Sequence, residues 1–266
     1  MNNDNQISHN TKLYGFIGEQ AGQSSFSATL NKIFKANNKD AMIIPMNIRA
    51  DDFFFTASNM KKSHVNGAII SNEFTSSIVE HLNETTKVVL KSGMCDIVVR
   101  DGERLIGDIF SINVLIDFLQ ARGAKKIALI GISPHAKAFS FLSLSSGFHI
   151  SYFHDDLEDL MNFTLEMKIE NADLNRIASD MCVDLSSYEA VLDFSDFTAF
   201  EMIDKLANSN IDMKHKTEFS ALKNRAKELG SEYIGFDNLL NELSQGAYDF
   251  FEKHGHLVHD KLQMKF

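Results

Sequence analysis

RLIGDIFSINVLIDFLQARGAKKIALIGISPHAKAFS, residues 104–140, is the stretch that decides the fold of this chain. Its apolar residues first recur at helical spacing, which predicts a helix that Gly123 closes. Residues 127–130 then predict a short apolar strand, which ends at Gly131 and leads directly into another helix. This order of strand, glycine and helix is typical of the start of a dinucleotide-binding unit, because free N–H groups at a helix N-terminus can hold a pyrophosphate.

Strand and helix patterns alternate on both sides of this stretch. Before it, apolar runs predict strands at 13–18, 41–46 and 67–71, a weak strand at 87–90 and a hairpin around Asp101-Gly102. Helices are predicted from about residue 26, from Asp51-Asp52 and near 75–83. After it, we predict strands at 148–153, 183–185 and 190–193, and helices after 155–156, after 193–196 and over 237–252. The alternation predicts an α/β fold.

The composition is that of a soluble globular protein, since 44% of the 266 residues are hydrophobic and 23% are charged. A net charge of −10 argues against nucleic acid as a partner, because phosphate binding depends on clustered Lys and Arg. No apolar run reaches the roughly 18–20 residues of a membrane span, and the polar first residues contain no apolar signal core. With only Cys95 and Cys182, we expect no disulfide and a cytoplasmic location.

Four short motifs in a fixed order carry a family resemblance. They are Gly18 with Ser24-Ser25, the hairpin and Gly-Asp of 101–108, the loop of 127–138, and a closing helix that begins its motif at Gln245 and ends near His254-Gly255. In this order and spacing, from residue 13 to about residue 255, the chain resembles shikimate dehydrogenase. That family reduces 3-dehydroshikimate with a nicotinamide cofactor, so the resemblance implies an oxidoreductase of aromatic amino acid biosynthesis.

The resemblance implies two α/β domains. Residues 12–110 would form an N-terminal domain of the substrate-binding type, and residues 111–235 a Rossmann-like domain of the dinucleotide-binding type. Residues 236–266 would contain a helix that returns to the N-terminal domain, followed by a tail. Residues 1–11 are polar and lack periodicity, which predicts a disordered tail.

The two positions that carry proton transfer in the family are changed. The family motif Asn-Val-Thr-x-Pro-x-Lys aligns with residues 69–75, which places Thr75 where the lysine belongs. The family motif Gly-Asp-Asn-Thr-Asp-Gly aligns with residues 107–112 and places Ser111 at the partner carboxylate. A hydroxyl has no accessible pKa for this task, and losing such a group slows catalysis by about two to four orders of magnitude. We therefore expect the usual activity to be absent.

The remaining pocket positions are partly kept. Ser24, Ser71 and Gln245 match polar residues of the family's substrate pocket, and His215 lies near the position of a tyrosine that closes it. Cys95 replaces an asparagine, and Phe26 replaces the second serine of Ser-x-Ser. The substrate-pocket candidates are thus Ser24, Ser71, Thr75, Cys95, Ser111, His215 and Gln245. Three carboxylates could act as substitute acid–base groups, namely Glu73, Asp96 and Asp108.

The cofactor loop is also changed. Where the family has Gly-x-Gly-Gly-Ala, this chain keeps only Gly131 and continues with Ser133-Pro134-His135. Ser133 and Pro134 still predict a helix start. After the next strand, Asp155 could hold the ribose hydroxyls of NAD, but two adjacent carboxylates repel the 2′-phosphate of NADP. The candidates for cofactor binding are therefore Gly131, Ser133, His135 and Asp155; no cofactor is assigned, NAD is compatible and NADP is disfavoured.

The C-terminal histidines and the cysteines give weaker signals. His254, His256 and His259 are too few for a zinc site without further ligands, so we predict no metal. Cys95 has no cationic neighbour in sequence that would activate it, which favours a small buried hydrophobe over a nucleophile. Three hypotheses remain. The first is a shikimate-dehydrogenase-like protein that keeps a small-molecule cleft without the usual activity. The second is an oxidoreductase with an altered substrate and a non-standard acid or base, and the third is a true shikimate dehydrogenase with relocated catalytic residues. The sequence leaves the oligomeric state open.

Overall fold

A computed structural model describes residues 10–215 and 218–255 of this chain. The described residues divide into two compact units. The first unit contains the chain up to Thr86, residues Cys95–Phe110 and the chain from Leu240; the second contains Lys87–Met94 and Ser111–Leu239. Residues 1–9 of the predicted 1–11 tail, as well as His256 and His259, lie outside the described residues.

The strands have the following bounds. They are β1 Lys12–Gly18, β2 Ala41–Asn47, β3 Val65–Ile70, β4 Glu84–Thr85, β5 Ile97–Asp101, β6 Arg104–Asp108, β7 Lys126–Ile130, β8 His149–His154, β9 Asp173–Arg176, β10 Val183–Asp184, β11 Ala190–Asp193, β12 Ile203–Lys205, β13 Ser209–Asp212 and β14 Tyr233–Ile234.

The helices are α1 Phe26–Ala36, α2 Ala50–Met60, α3 Lys87–Ser92, α4 Ser111–Ala121, α5 Pro134–Leu142, α6 Leu157–Met167, α7 Ala221–Leu229 and α8 Leu240–Gly255. Short 3₁₀ turns lie between several of these elements.

The first unit contains a mixed sheet in the order β2-β1-β3-β5-β6-β4. Strands β1, β2 and β3 are parallel, whereas β5 pairs antiparallel with both β3 and β6. Helices α1 and α8 pack together against this sheet, where Tyr14 of β1 stacks on Phe251 of α8 at 4.0 Å and on Phe34 of α1 at 5.8 Å between ring centroids. Burying each such ring contributes about 1.5–3 kcal/mol, which fixes the last helix on the first unit.

The second unit contains a parallel sheet in the order β14-β13-β11-β7-β8-β9. Read from β9 and renumbered within the unit, this is the 3-2-1-4-5-6 order of dinucleotide-binding domains. Its strand order reverses direction between β7 and β11, and the carboxyl ends of these two strands define the switch point at which such sheets bind ligands. A buried cluster that includes Ile130, Val191 and Leu222 fills the space between the sheet and α7.

The α/β fold and most predicted elements are confirmed, but three predictions were wrong. Residues 87–90 are not a strand, because Val88, Val89 and Ser92 bury one face of the helix α3 while Leu90 is 71% exposed. Gly93, with φ of +71°, ends that helix. Helix α3 belongs to the second unit, so the predicted 12–110 domain is interrupted at Lys87–Met94.

The other two corrections concern helices. No helix follows residues 193–196, because the Asp193 carboxylate accepts hydrogen bonds from the N–H and hydroxyl of Ser195 and forms a local turn, after which the chain enters β12. The helix predicted near 75–83 is instead the two 3₁₀ turns Asn72–Phe74 and Ser77–His81. Within the described residues, no helix is both long and apolar enough to cross a membrane.

Candidate functional site

The carboxyl end of β7 has a tight turn at Gly131. Its φ of +99° favours glycine, and a Cβ built there would lie 2.7 Å from the backbone of Phe194 and Ser195, which follow β11. The predicted helix start comes next: Ser133 is the N-cap in an extended conformation, and Pro134 is the first helical residue of α5. The two strand ends therefore approach each other closely at the switch point, and only a glycine permits this.

His135 lies beside that turn on the first turn of α5. Its ring stacks on the ring of Phe194, which directly follows β11, with 6.1 Å between centroids. Although part of its surface is exposed, protein atoms surround the imidazole densely, and this desolvation lowers the pKa of His135 to about 4. The side chain is therefore neutral at pH 7.

The end of β8 carries the two predicted carboxylates, and they have different roles. Asp156 is the N-cap of α6, where its carboxylate accepts hydrogen bonds from the N–H groups of Glu158 and Asp159. Asp155 is exposed, and its carboxylate lies 3.3 Å from Nδ1 of the His154 ring. Sequence reasoning missed Arg176 at the end of β9, whose Nε donates to the backbone oxygen of Asp155 at 3.3 Å.

In the first unit, the structure brings Ser71, Thr75 and Cys95 together at one end of the sheet. Thr75 is 2% exposed, and its hydroxyl donates to the backbone oxygen of Asn72 at 3.0 Å. The backbone oxygen of Thr75 in turn accepts from the N–H of Cys95 at 2.8 Å. Ser71 is buried beside Gly18, where an added Cβ would lie 3.2 Å from the serine hydroxyl. The Thr75 hydroxyl is thus held by the backbone.

Cys95 is fully buried, as expected for a small hydrophobe. Its Sγ donates to the backbone oxygen of Ile97 at 3.3 Å and lies against Gly107, where an added Cβ would be 2.7 Å away. Burial raises the pKa of this thiol well above its usual value, and the nearby Asp96 raises it further. The thiolate that a nucleophile requires is therefore disfavoured.

The other two pocket candidates of the first unit are Ser24, which lies just before α1, and Gln245 on α8. The hydroxyl of Ser24 accepts from the N–H of Phe26 at 3.1 Å and supports the start of α1. Phe26 is completely buried against Phe16, so the residue that replaces a pocket serine points into the core. Gln245 is exposed, and its amide donates to Asp249 one helical turn later.

The three substitute carboxylates all accept hydrogen bonds from the backbone. Glu73 accepts from the N–H of Glu19 at 2.6 Å, and the buried Asp96 accepts from the N–H of Phe110 at 2.8 Å. Asp108 accepts from the N–H of Ile109 and the hydroxyl of Thr86, both at 2.8 Å. These carboxylates therefore hold the chain around the ends of β1, β3 and β6.

The second unit holds Ser111 and His215. Ser111 is the first residue of α4 and is partly buried. His215 follows β13, and its ring stacks on Phe236 at 4.2 Å. It borders a small cavity of about 60 Å³ that Lys214 and Lys223 also line.

Next to His215 lies a charged cluster that sequence reasoning missed. Asp193 and Asp212 are register partners at the ends of β11 and β13, and their exposed fractions are 1% and 0%. Lys214 places its Nζ 3.2 Å from the Asp193 carboxylate, while its side chain stays 20% exposed. We name Asp193, Asp212 and Lys214 the charged cluster. The signal in the sequence was an aspartate at the end of each of two strands, only one of which was predicted.

Hydroxyl groups complete the charged cluster. Asp212 accepts from the hydroxyls of Ser220 and Tyr233, and burial raises the pKa of Tyr233, which keeps its donor proton. Burial likewise raises the pKa of Asp193, against the opposing pull of the Lys214 ammonium. The arrangement keeps a partly exposed cation beside the buried carboxylate of Asp193, whose register partner Asp212 is also buried, at the edge where such sheets bind ligands.

Comparison of the whole structure with solved structures shows what fold these elements form. The chain aligns with shikimate dehydrogenase from Aquifex aeolicus with a TM-score of 0.71 at 16% identity, over 94% of this chain and 95% of that one. The chain has the shikimate dehydrogenase fold. An Ael1 enzyme from Pseudomonas putida shares this fold with a TM-score of 0.76 at 12% identity, over 93% of this chain and 97% of that one.

The same fold also occurs in a protein that is not called a shikimate dehydrogenase. The 5-ketofructose reductase of Gluconobacter sp. strain CHM43, in its ligand-free form, aligns with a TM-score of 0.70 at 15% identity, over 97% of this chain and all of that one. No family model and no curated relative matches the sequence. The resemblance of the motifs to shikimate dehydrogenase is thus confirmed at the level of fold.

The shikimate dehydrogenase fold allows the cofactor positions to be tested against a nicotinamide dinucleotide. Asp155 is exposed after β8, where a carboxylate can accept from ribose hydroxyls. Arg176 adds one positive charge near Asp155, whereas Asp155 and Asp156 contribute two negative charges, so these three side chains together carry a net negative charge. A carboxylate at Asp155 can accept from ribose hydroxyls of NAD, and the adjacent carboxylates of Asp155 and Asp156 repel a 2′-phosphate. Around the phosphates, Ser133 and His135 occupy positions at which glycine would allow the closest approach.

Histidine, cysteine and carboxylate side chains are the usual protein ligands of zinc. Over residues 10–215 and 218–255, no three of these side chains are grouped in a way that could hold a metal ion. His254, the one described member of the C-terminal histidines, lies with its Nδ1 2.9 Å from the backbone oxygen of Phe250.

Proposed function

We propose that this chain is a shikimate-dehydrogenase-like protein that retains a small-molecule site but lacks the usual NADP-dependent conversion of shikimate and 3-dehydroshikimate. The observation that carries the proposal is the state of Thr75. It stands at the position of the proton-transfer lysine, is 2% exposed and donates its hydroxyl proton to the backbone of Asn72. A buried hydroxyl whose proton is hydrogen-bonded to the backbone cannot exchange a proton with a substrate near neutral pH.

Two further observations support the absence of that activity. Ser111 supplies no carboxylate at the partner position, and the charge around Asp155 opposes a 2′-phosphate. The protein would therefore lack both the proton-transfer pair and the affinity for NADP that the reaction needs.

The test is an assay of shikimate oxidation by the purified protein, together with calorimetry for NADP and NAD. We expect no NADPH formation from shikimate and NADP above a blank without protein, and no NADP binding in the micromolar range. Shikimate-dependent NADPH formation would contradict the proposal, as would a micromolar Kd for NADP.

The charged cluster favours a second candidate function, an NAD-dependent oxidoreductase of the shikimate or quinate dehydrogenase type that acts on an altered substrate. Lys214 is a partly exposed ammonium beside the buried carboxylate of Asp193, and Asp193 lies at the carboxyl end of β11, one of the two strands of the switch point. Such a pair can hold a ligand oxygen and give or accept its proton. The 5-ketofructose reductase with this fold is consistent with a substrate other than shikimate.

This second candidate is tested by NAD binding and by replacing Lys214. Under this candidate, NAD stabilises the protein in a thermal shift assay, and a panel of small ketones and hydroxy acids with NADH or NAD identifies a substrate. Lys214→Met then lowers kcat/KM by about two to four orders of magnitude, whereas Lys223→Met, on the same small cavity, leaves it within a fewfold. Equal activity of the two variants would remove Lys214 from the reaction, and absence of NAD binding would exclude the oxidoreductase itself.

A further inference from the structure

A cavity of about 440 Å³ opens at the amino edge of the sheet in the second unit. It lies between the C-terminal end of α5, the beginning of β8 and the loop that precedes β9. Its volume is within the roughly 300–1,000 Å³ of sites for small molecules. The carboxyl edge, with the switch point and the charged cluster, is at the opposite ends of the same strands, so this cavity is a separate site.

The cavity exists because the edge strand begins late. β8 starts at His149, but β9 pairs with it only from Ser151 onward, where Ser151 is opposite Asp173. The first two residues of β8 therefore have no β9 partner along this edge. The loop before β9 passes outside them, with Asn171 at φ of +54°, and leaves the space open.

Buried hydroxyl groups line the inner wall. Ser140, Ser143 and Ser151 are 2%, 4% and 6% exposed, and all three border the cavity. Tyr152 donates to the hydroxyl of Ser140 at 3.3 Å, and burial raises the pKa of Tyr152, which keeps it a donor. The hydroxyls of Ser143 and Ser151 donate to the backbone oxygen of Ser140 and to Asp173, so their lone pairs are what they offer to the hydroxyl protons of a ligand.

The charge at the rim is negative. Asp173 accepts from the hydroxyl of Ser151 at 2.5 Å, and Glu170 lies on the same loop. The lysine of the rim is directed elsewhere, since the Lys126 ammonium lies 4.7 Å over the Tyr188 ring and 3.4 Å from the hydroxyl of Ser187. A carboxylate with free acceptor capacity therefore faces the cavity without a competing lysine.

We propose that this amino-edge cavity binds a small hydroxylated amine, such as an amino sugar, with the ammonium on Asp173 and the ligand hydroxyls on the buried serines. Phe148 and Leu144 border the same space and supply apolar surface for the carbon skeleton. The site is independent of both candidate functions, because none of its residues takes part in the cofactor positions, the substrate-pocket positions or the charged cluster.

The experiment is an NMR titration of the ¹⁵N-labelled full chain with glucosamine, and in parallel with glucose. We expect glucosamine to bind with a Kd of about 1 mM, as is usual for a ligand of this size. The amide shifts should concentrate at residues 149–152 and 169–173, and glucose should bind roughly tenfold more weakly because it lacks the charge.

The matched variants are Asp173→Asn and Asp180→Asn. Asparagine at 173 still accepts from Ser151, so this variant keeps the fold, which its amide spectrum verifies. We expect Asp173→Asn to lose about tenfold in affinity for glucosamine and none for glucose, and Asp180→Asn, an exposed carboxylate outside the cavity, to bind as the wild type does. The proposal would be overturned if the two sugars bound equally well, or if the amide shifts lay elsewhere in the protein. It would also be overturned if glucosamine did not approach saturation by roughly 20 mM.

Discussion

In the first unit, the carboxylates of Glu73, Asp96 and Asp108 accept hydrogen bonds from backbone N–H groups. In the second unit, Asp193 and Asp212 are buried at paired strand ends and share their surroundings with Lys214 and two hydroxyls. Both arrangements give the carboxylates hydrogen-bond or ion-pair partners, but these partners have different chemistry. Backbone N–H groups do not titrate, whereas an ammonium can lose a proton and can move toward a ligand. Under the second candidate function, this difference assigns proton transfer to the second unit.

The largest expected effect is the difference in thiol labelling rate between a buried cysteine of the first unit and an exposed cysteine of the second. Cys95, at a substrate-pocket position, is fully buried with a raised pKa, while Cys182 in the second unit is exposed. We expect Ellman's reagent to label Cys182 of the native protein quickly and Cys95 at least about a thousandfold more slowly, because labelling requires local opening. In urea both thiols should react. Two equally fast thiols in the native protein would show that the pocket position is open.

Removing the cation of the charged cluster tests whether its carboxylates depend on it. Lys214→Met leaves Asp193 buried without its ammonium, so at pH 7 we expect the free energy of unfolding to fall by about 3 kcal/mol in urea titrations. Lys223→Met removes an exposed lysine near Tyr233 and should cost less than about 0.5 kcal/mol. Adding Asp193→Asn to Lys214→Met should recover most of the loss. If the two single variants are equally stable, the pair does not support the buried carboxylates.

His135, in the second unit, should make the free energy of unfolding depend on pH. Its pKa is about 4 in the folded chain and 6.5 ordinarily, so between these values the unfolded chain binds more protons. Stability should therefore fall as the pH drops from 6.5 toward 4, by up to about 3 kcal/mol from this group. His135→Phe should flatten that part of the profile, and His149→Gln, at an exposed position, should leave it unchanged. A wild-type profile that matches the His135→Phe profile would contradict the assigned burial.

The sequence predicted the fold well because its signals were local and redundant. The run from β7 through Gly131 to Ser133-Pro134 combines an apolar strand, a glycine with positive φ and a helix start, and each supports the others. Residues 87–90 failed because adjacent valines suit a strand as well as a buried helix face, and only the packing of α3 on α5 decides between them.

The candidate site was predictable only as a set of positions. The alignment assigned Thr75 and Cys95 to pocket positions, but it could not predict that the Thr75 hydroxyl would donate to the backbone. The charged cluster could not be found in this way, because Asp193 and Lys214 are 21 residues apart and meet only when β11 and β13 pair. β13 itself, with the sequence SNID, carries no apolar alternation that would have predicted a strand.

Replacing Thr75 should have the smallest effect. It tests whether the polar side chains of the first unit are held by the backbone and unavailable to a ligand. Thr75→Val keeps the shape and removes the hydroxyl; the Asn72 oxygen still accepts from the N–H of residue 75 at 3.4 Å. We expect a loss of about 1 kcal/mol in the free energy of unfolding, the usual net value of one buried hydrogen bond. Thr56→Val removes the same kind of bond, to the backbone oxygen of Asp52 at 3.0 Å, from an exposed part of α2 and should cost close to nothing. Because the Thr75 hydroxyl is directed to the backbone, Thr75→Val should also leave the calorimetric affinity for NAD unchanged. A loss of ligand affinity without a loss of stability would show that this hydroxyl faces a ligand and that the first unit keeps a working polar site.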